Sequence, residues 1–226
     1  MLTNGDHDMP PPYQPKDPNG GKAAGPGTEL VTSPRDLHHN VESAVKASRA
    51  YNSSSFFSPG ETKNIKETPS YCDTRPAQDI SFVADLSNGI KLFLSRNHPA
   101  PQVFLQNNRE AIANFTFILS EVAGIFQLPT STVNIYHDDT GAAIAFNSNG
   151  SYFCNLRYFM QLHMAHIDSP EGKVEAMAYW FVTMCHELAH NLVQDHNSQH
   201  SYYTESFVTQ YFGRMIWWAS KVSGGA

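Results

Sequence analysis

Cysteine is scarce in this chain. Cys72, Cys154 and Cys185 are the only three among 226 residues, and their spacing offers neither a disulfide framework nor a thiolate metal site. Cys185 adjoins His186 but points elsewhere on a helix, so a buried thiol is the expected reading. Positive charge is also short, with 15 Lys and Arg against 21 Asp and Glu and a net charge of −6. That balance gives no overall attraction to nucleic acid or to an anionic membrane. No apolar run is long enough to span a bilayer, and the N-terminus lacks a charged segment leading into an apolar one. An intracellular setting, cytoplasmic or nuclear, is therefore expected. No ATP-binding signature and no internal repeat is present.

Apolar residues are few over 1–35, which hold Met9-Pro10-Pro11-Pro12, Asn19-Gly20-Gly21 and Gly25-Pro26-Gly27. Such a tail cannot bury enough surface to offset its ordering entropy. Residues 36–57 carry Leu37, Val41, Ala44, Val45 and Ser48 on one helical face, and 58–79 return to Pro, Thr and Ser. We read 36–76 as a helix plus linker and 77–226 as one folded domain, a length that supports a single core.

Within that domain, 80–95 is two alternating apolar runs around Asn88-Gly89, a strong hairpin signal. Residues 106–128 predict a helix with Ile112, Phe115, Ile118, Leu119, Val122, Ile125 and Phe126 on its inner face, ended by Pro129. Strands are expected at 133–137, 142–146 and 151–159, with turns at 139–141 and 147–150. The run 169–192 predicts a helix that is apolar on most sides, capped by Ser169 with Pro170 in the first position. A last helix covers about 202–222. His137-Asp138-Asp139 reads as a strand end and turn, His38-His39 as an exposed helix start, and His163 and His166 as solvated loop histidines rather than an accessory metal pair.

Set against these absences is His186-Glu187-Leu188-Ala189-His190, followed by Asp195-His196. Histidines four apart lie one above the other on a helix face, which lets both imidazoles reach one tetrahedral Zn²⁺. Zinc held there acidifies a water, and Glu187 between the histidines is placed to take its proton. At this chain's His and Glu frequencies the five residues arise by chance in roughly two sequences per hundred, so the context matters. The histidines lie on an apolar helix, where buried imidazoles need partners that a metal supplies. His196 is the expected third ligand on its spacing, with His200 and Glu205 as rivals. Asp195 could orient a ligand from outside. Tyr202 and Tyr203 are candidate hydrogen-bond donors to a developing oxyanion, with Tyr203 assigned the role.

The pattern HExxHxxxxxH resembles that of zincin-type zinc metallopeptidases. In metzincins a glycine turns the chain after the second histidine, and Val193 occupies that place here. The run His186-Glu187-Leu188-Ala189-His190-Asn191, then Asp195-His196-Asn197, then Tyr202, Tyr203 and Phe207, more closely resembles the WLM family of Wss-type proteases and the related SprT group. The loop 192–195 departs from that pattern in having no glycine. The resemblance implies an α+β fold: a small zincin-like domain with a mostly antiparallel sheet, an active-site helix and a C-terminal helix. It implies zinc-dependent hydrolysis of a peptide or protein substrate, with His186, His190 and His196 on the metal and Glu187 as base. It also implies that a strand over 149–156 borders the cleft and pairs with extended substrate. The same C-terminal run is similar to the tail of large fungal proteins that carry a sacsin-like ATPase region. A longer parent with such a region, and a catalytically inactive zinc-binding role in protein assembly, are what that second likeness implies.

Overall fold

The computed structural model describes residues 34–51, 80–139, 141 and 143–223. Residues 1–33 of the tail expected over 1–35, the linker expected over 58–79 and Cys72 lie outside the described residues. The first helix, α1 (Pro34–Lys46), buries Val41 and Ala44 and stops well short of residue 57. Strands β1 (Ile80–Asp85) and β2 (Lys91–Ser95) pair antiparallel. The connection carries Asn88 at φ 61° and Gly89 at φ 80°, the left-handed conformations that make Asn-Gly a hairpin signal.

The segment expected as one helix from residue 106 is two, α2 (Pro101–Asn107) and α3 (Arg109–Phe126). At the break, Asn108 donates its side-chain amide to the carbonyl of Phe104. Every residue of the expected α3 face is buried. Strand β3 (Val133–His137) matches its expected bounds, and β4 (Ala145–Ser148) and β5 (Ser151–Asn155) form a second antiparallel hairpin. Its turn is again Asn-Gly, with Asn149 at φ 53° and Gly150 at φ 85°. The strand expected over 151–159 ends at Asn155, whose side chain accepts from the Arg157 amide and caps α4 (Leu156–Leu162). Two long helices complete the chain, α5 (Pro170–Ala189) and α6 (Ser198–Ser223). None of the helices among the described residues is long and apolar enough to cross a membrane.

The fold is α+β, and its sheet has the order β1-β2-β3-β5-β4. It is mixed rather than mostly antiparallel. The helical crossover through α2 and α3 makes β3 parallel to β2. The chain then runs to the far edge as β4 and returns through β5, which lies parallel to β3. This corrects the expectation for 149–156: β5 is paired on both sides, and β4 is the edge strand beside it. Alternate residues of the sheet face opposite ways. Leu92, Leu94, Ile135, Tyr152 and Cys154 join the main core with α3 and α5. Phe93, Tyr136, Phe146 and Phe153 form a smaller cluster on the other side with Tyr51.

Candidate metal centre

Helix α5 is fixed at both ends. At its start the Ser169 hydroxyl accepts from the Gly172 amide, and a Cβ on Gly172 would meet the His166 carbonyl oxygen at 1.9 Å, so only glycine fits. Along its length Met177, Trp180, Phe181, Met184, Cys185 and Leu188 are buried. At its end Asn147 of β4 donates to the Glu187 carbonyl at 2.9 Å and to Asn191 Oδ1 at 2.8 Å. Asn191 in turn donates to the Ala44 carbonyl and to the Tyr152 hydroxyl at 2.9 and 2.7 Å. The last turn of the motif helix is thereby tied to the edge hairpin, to β5 and to the end of α1.

His186 and His190 lie one turn apart on this anchored helix, their ring centroids 5.0 Å apart. The chain leaves α5 through tight turns, with the Leu192 and Val193 amides both donating to the Ala189 carbonyl. Positive φ among the described non-glycine residues is confined to Asn88, Gln127 and Asn149. The chain therefore reverses here without the glycine of a metzincin turn. The reversal brings His196 Nε2 to 2.8 Å from His186 Nε2. Asn197 then caps α6, its side-chain oxygen accepting from the amides of Gln199 and His200. That cap delivers His200 to the same place, with ring centroids 4.6, 4.3 and 4.7 Å from those of His186, His190 and His196.

The ligand atoms of His186, His190, His196 and His200 all lie within 4.8 Å of one another, and the four can bind one metal ion. A tetrahedral zinc with bonds near 2.05 Å has nitrogen–nitrogen edges of about 3.3 Å, so small shifts bring the set onto an ion. Burial and mutual repulsion also favour the neutral form of three of these rings. Burial, then the neighbouring imidazoles His190, His200 and His196, push His186 down to about 3. Burial and the charges of His200 and His196 push His190 down to about 4. His200 is lowered too, chiefly by burial and His196, with a backbone hydrogen bond to His186 acting the other way. Neutral imidazoles are what a metal needs. Nδ1 of His190 lies 3.2 Å from the Val193 carbonyl, which as an acceptor holds the proton on that nitrogen and leaves Nε2 for an ion. A backbone group thus does what was expected of Asp195, which is exposed.

Glu187 is 4 % exposed at the junction of α5 with the sheet. Burial pushes the hydroxyls of Tyr136 and Tyr152 and the thiol of Cys154 upward, and the charge of Glu187 adds to all three. Among the expected site residues, His186, Glu187, His190 and His196 thus come together on or next to the end of α5. Tyr203 lies on α6, where its hydroxyl accepts from the Asn40 side chain of α1 at 3.3 Å and its ring lies in the core. Glu205 is exposed in a hollow with Leu37, His38 and Tyr202 and does not join the histidines.

His200, weighed as a rival to His196, stands beside it. Asn147 escaped the sequence reading, since nothing local marks it, and Asn191 entered only as part of a motif. His163, read as solvated, is buried against Phe159 and Tyr179, while His166 is exposed. An open cleft of about 310 Å³ adjoins the centre, bordered by His190, Gln194, Asn147, Asn149 and Arg49. No protein-family model, curated protein or solved structure matches this chain.

Proposed function

We propose that this protein is a zinc metallopeptidase in which His186, His190 and His196 hold the metal and Glu187 is the general base. The observation that carries the reading is the set of convergent imidazoles on and after α5 with Glu187 buried on the same turn. An all-imidazole, near-tetrahedral donor set suits zinc. When bound, zinc polarises a scissile carbonyl and acidifies a water. A carboxylate oxygen of Glu187 takes the proton of that water and passes it to the leaving nitrogen. Tyr152 and Cys154 stay protonated and do not compete with Glu187 as bases. The Tyr203 hydroxyl accepts from Asn40 and keeps its own proton to donate, so the oxyanion role expected of it remains part of this proposal. Extended peptide lies along β4, the edge strand next to the cleft.

A second reading is a zinc-binding domain that assembles with a partner, such as an ATPase region of a longer parent, and does not cleave. The approach of His200 favours it, because structural zinc sites take four protein ligands. One experiment separates the two: zinc content and cleavage of an unfolded protein substrate, wild type beside Glu187→Gln. Zinc in both and cleavage in the wild type alone supports the peptidase. Zinc in both with cleavage in neither supports the assembly domain.

A further inference from the structure

We infer that in the resting protein His200 occupies the fourth place at the metal, so that the centre is closed and a ligand gains the metal only by displacing His200. This rests on the proposed metal site and adds its regulation. The six centroid distances among the four rings run only from 4.3 to 5.0 Å. That is a nearly regular tetrahedron of imidazoles in which His200 is no farther in than out. A histidine that merely assisted a substrate would stand off from the other three, leaving room for the reacting group between.

His200 is also 3 % exposed, and its Nε2 is buried with no hydrogen-bond partner among the described residues. A buried ring nitrogen without a partner is costly, and a metal at the centre of the other three supplies one. Its backbone is fixed by the Asn197 cap, so the ring is presented rather than left to find its place. The four ligands come from three pieces of chain. His186 and His190 lie at the end of α5, His196 lies in the connecting loop, and His200 sits in the first turn of α6 as the most buried of the four. The backbone carbonyl of Glu187 is held by Asn147 of β4, an anchor that does not involve His200.

The test uses the full chain loaded with cobalt(II), whose visible spectrum reports its ligands, titrated with azide as a small metal ligand. The expected result is a wild-type spectrum of tetrahedral character that azide leaves unchanged, while the spectra of His200→Ala and His200→Gln shift on addition of the same azide. Two variants guard against a folding failure in either one, and the wild-type titration stands without them. A wild-type spectrum that shifts at the azide concentration that shifts the variants overturns the closed centre and leaves the three-histidine site intact. A wild type that binds no cobalt overturns the metal site and this inference with it.

Discussion

Nε2 of His196 lies 2.8 Å from Nε2 of His186. Burial and the neighbouring imidazoles oppose protonation of His186. Without a metal, one of these nitrogens carries a proton and donates to the other; a cation shared with the two neighbouring rings takes that proton's place and draws on both lone pairs. Zinc should therefore stabilise the protein by mass action, by about 2.7 kcal/mol at a hundred times the dissociation constant. His186→Ala and His190→Ala should abolish most of that gain. Thermal melts with and without zinc measure it, and an unchanged zinc-dependent rise in either variant would remove the metal-site claim.

Glu187 is a buried carboxylate on a helix whose neighbours are apolar, an arrangement that folding alone does not favour. Glu187→Gln keeps the shape and removes the base. The variant should retain zinc, melt at the same temperature or higher, and lose hydrolysis by about 10²–10⁴-fold. Full activity in this variant would sink the general-base role.

Acid should unfold the metal-free protein earlier than it unfolds a variant lacking one of the ring groups. The folded-state values near 3 for His186 and near 4 for His190 lie below the roughly 6.5 of an unfolded chain. The unfolded state thus binds more protons between these limits, so stability is full above about pH 6.5 and falls as pH drops toward 3 or 4. His186→Gln should flatten that slope. Melting temperatures of both metal-free proteins from pH 4 to 8 decide it, and parallel curves would reject the assignment.

Much of this centre was legible because its signals are local. An i, i+4 histidine pair on an apolar helix needs no tertiary knowledge to read, and the two Asn-Gly turns announce their hairpins through backbone geometry alone. The order of strands in the sheet was not legible. Whether β5 or β4 takes the edge depends on where the returning strand finds a parallel partner, and Ser151–Asn155 has the same composition in either place. Asn147 is 40 residues from the helix end it holds, and no spacing rule reaches that far. His200 was visible, but whether it replaces His196 or joins it depends on how the first turn of α6 packs against the end of α5, which no local signal gives. The burial of His163 was missed because its neighbours Phe159 and Tyr179 flank it from two separate helices.

Asn191 follows the second histidine and ties four elements together, donating to Ala44 and Tyr152 and accepting from Asn147. Its removal strands unequal partners. Asn147 keeps its bond to the Glu187 carbonyl, and the Tyr152 hydroxyl keeps Ser48 at 2.6 Å, but the Ala44 carbonyl loses this donor. Asn191→Ala should cost about 1–3 kcal/mol in urea unfolding of the metal-free protein. Asn147→Ala should cost a similar amount, since it frees the Glu187 carbonyl and the Gly150 amide together. Because the two side chains bond each other, the double variant should cost less than the sum, by about 0.5–3 kcal/mol. Strict additivity would mean that the two asparagines act independently, and that the edge hairpin does not help to hold the end of the helix that carries the histidines.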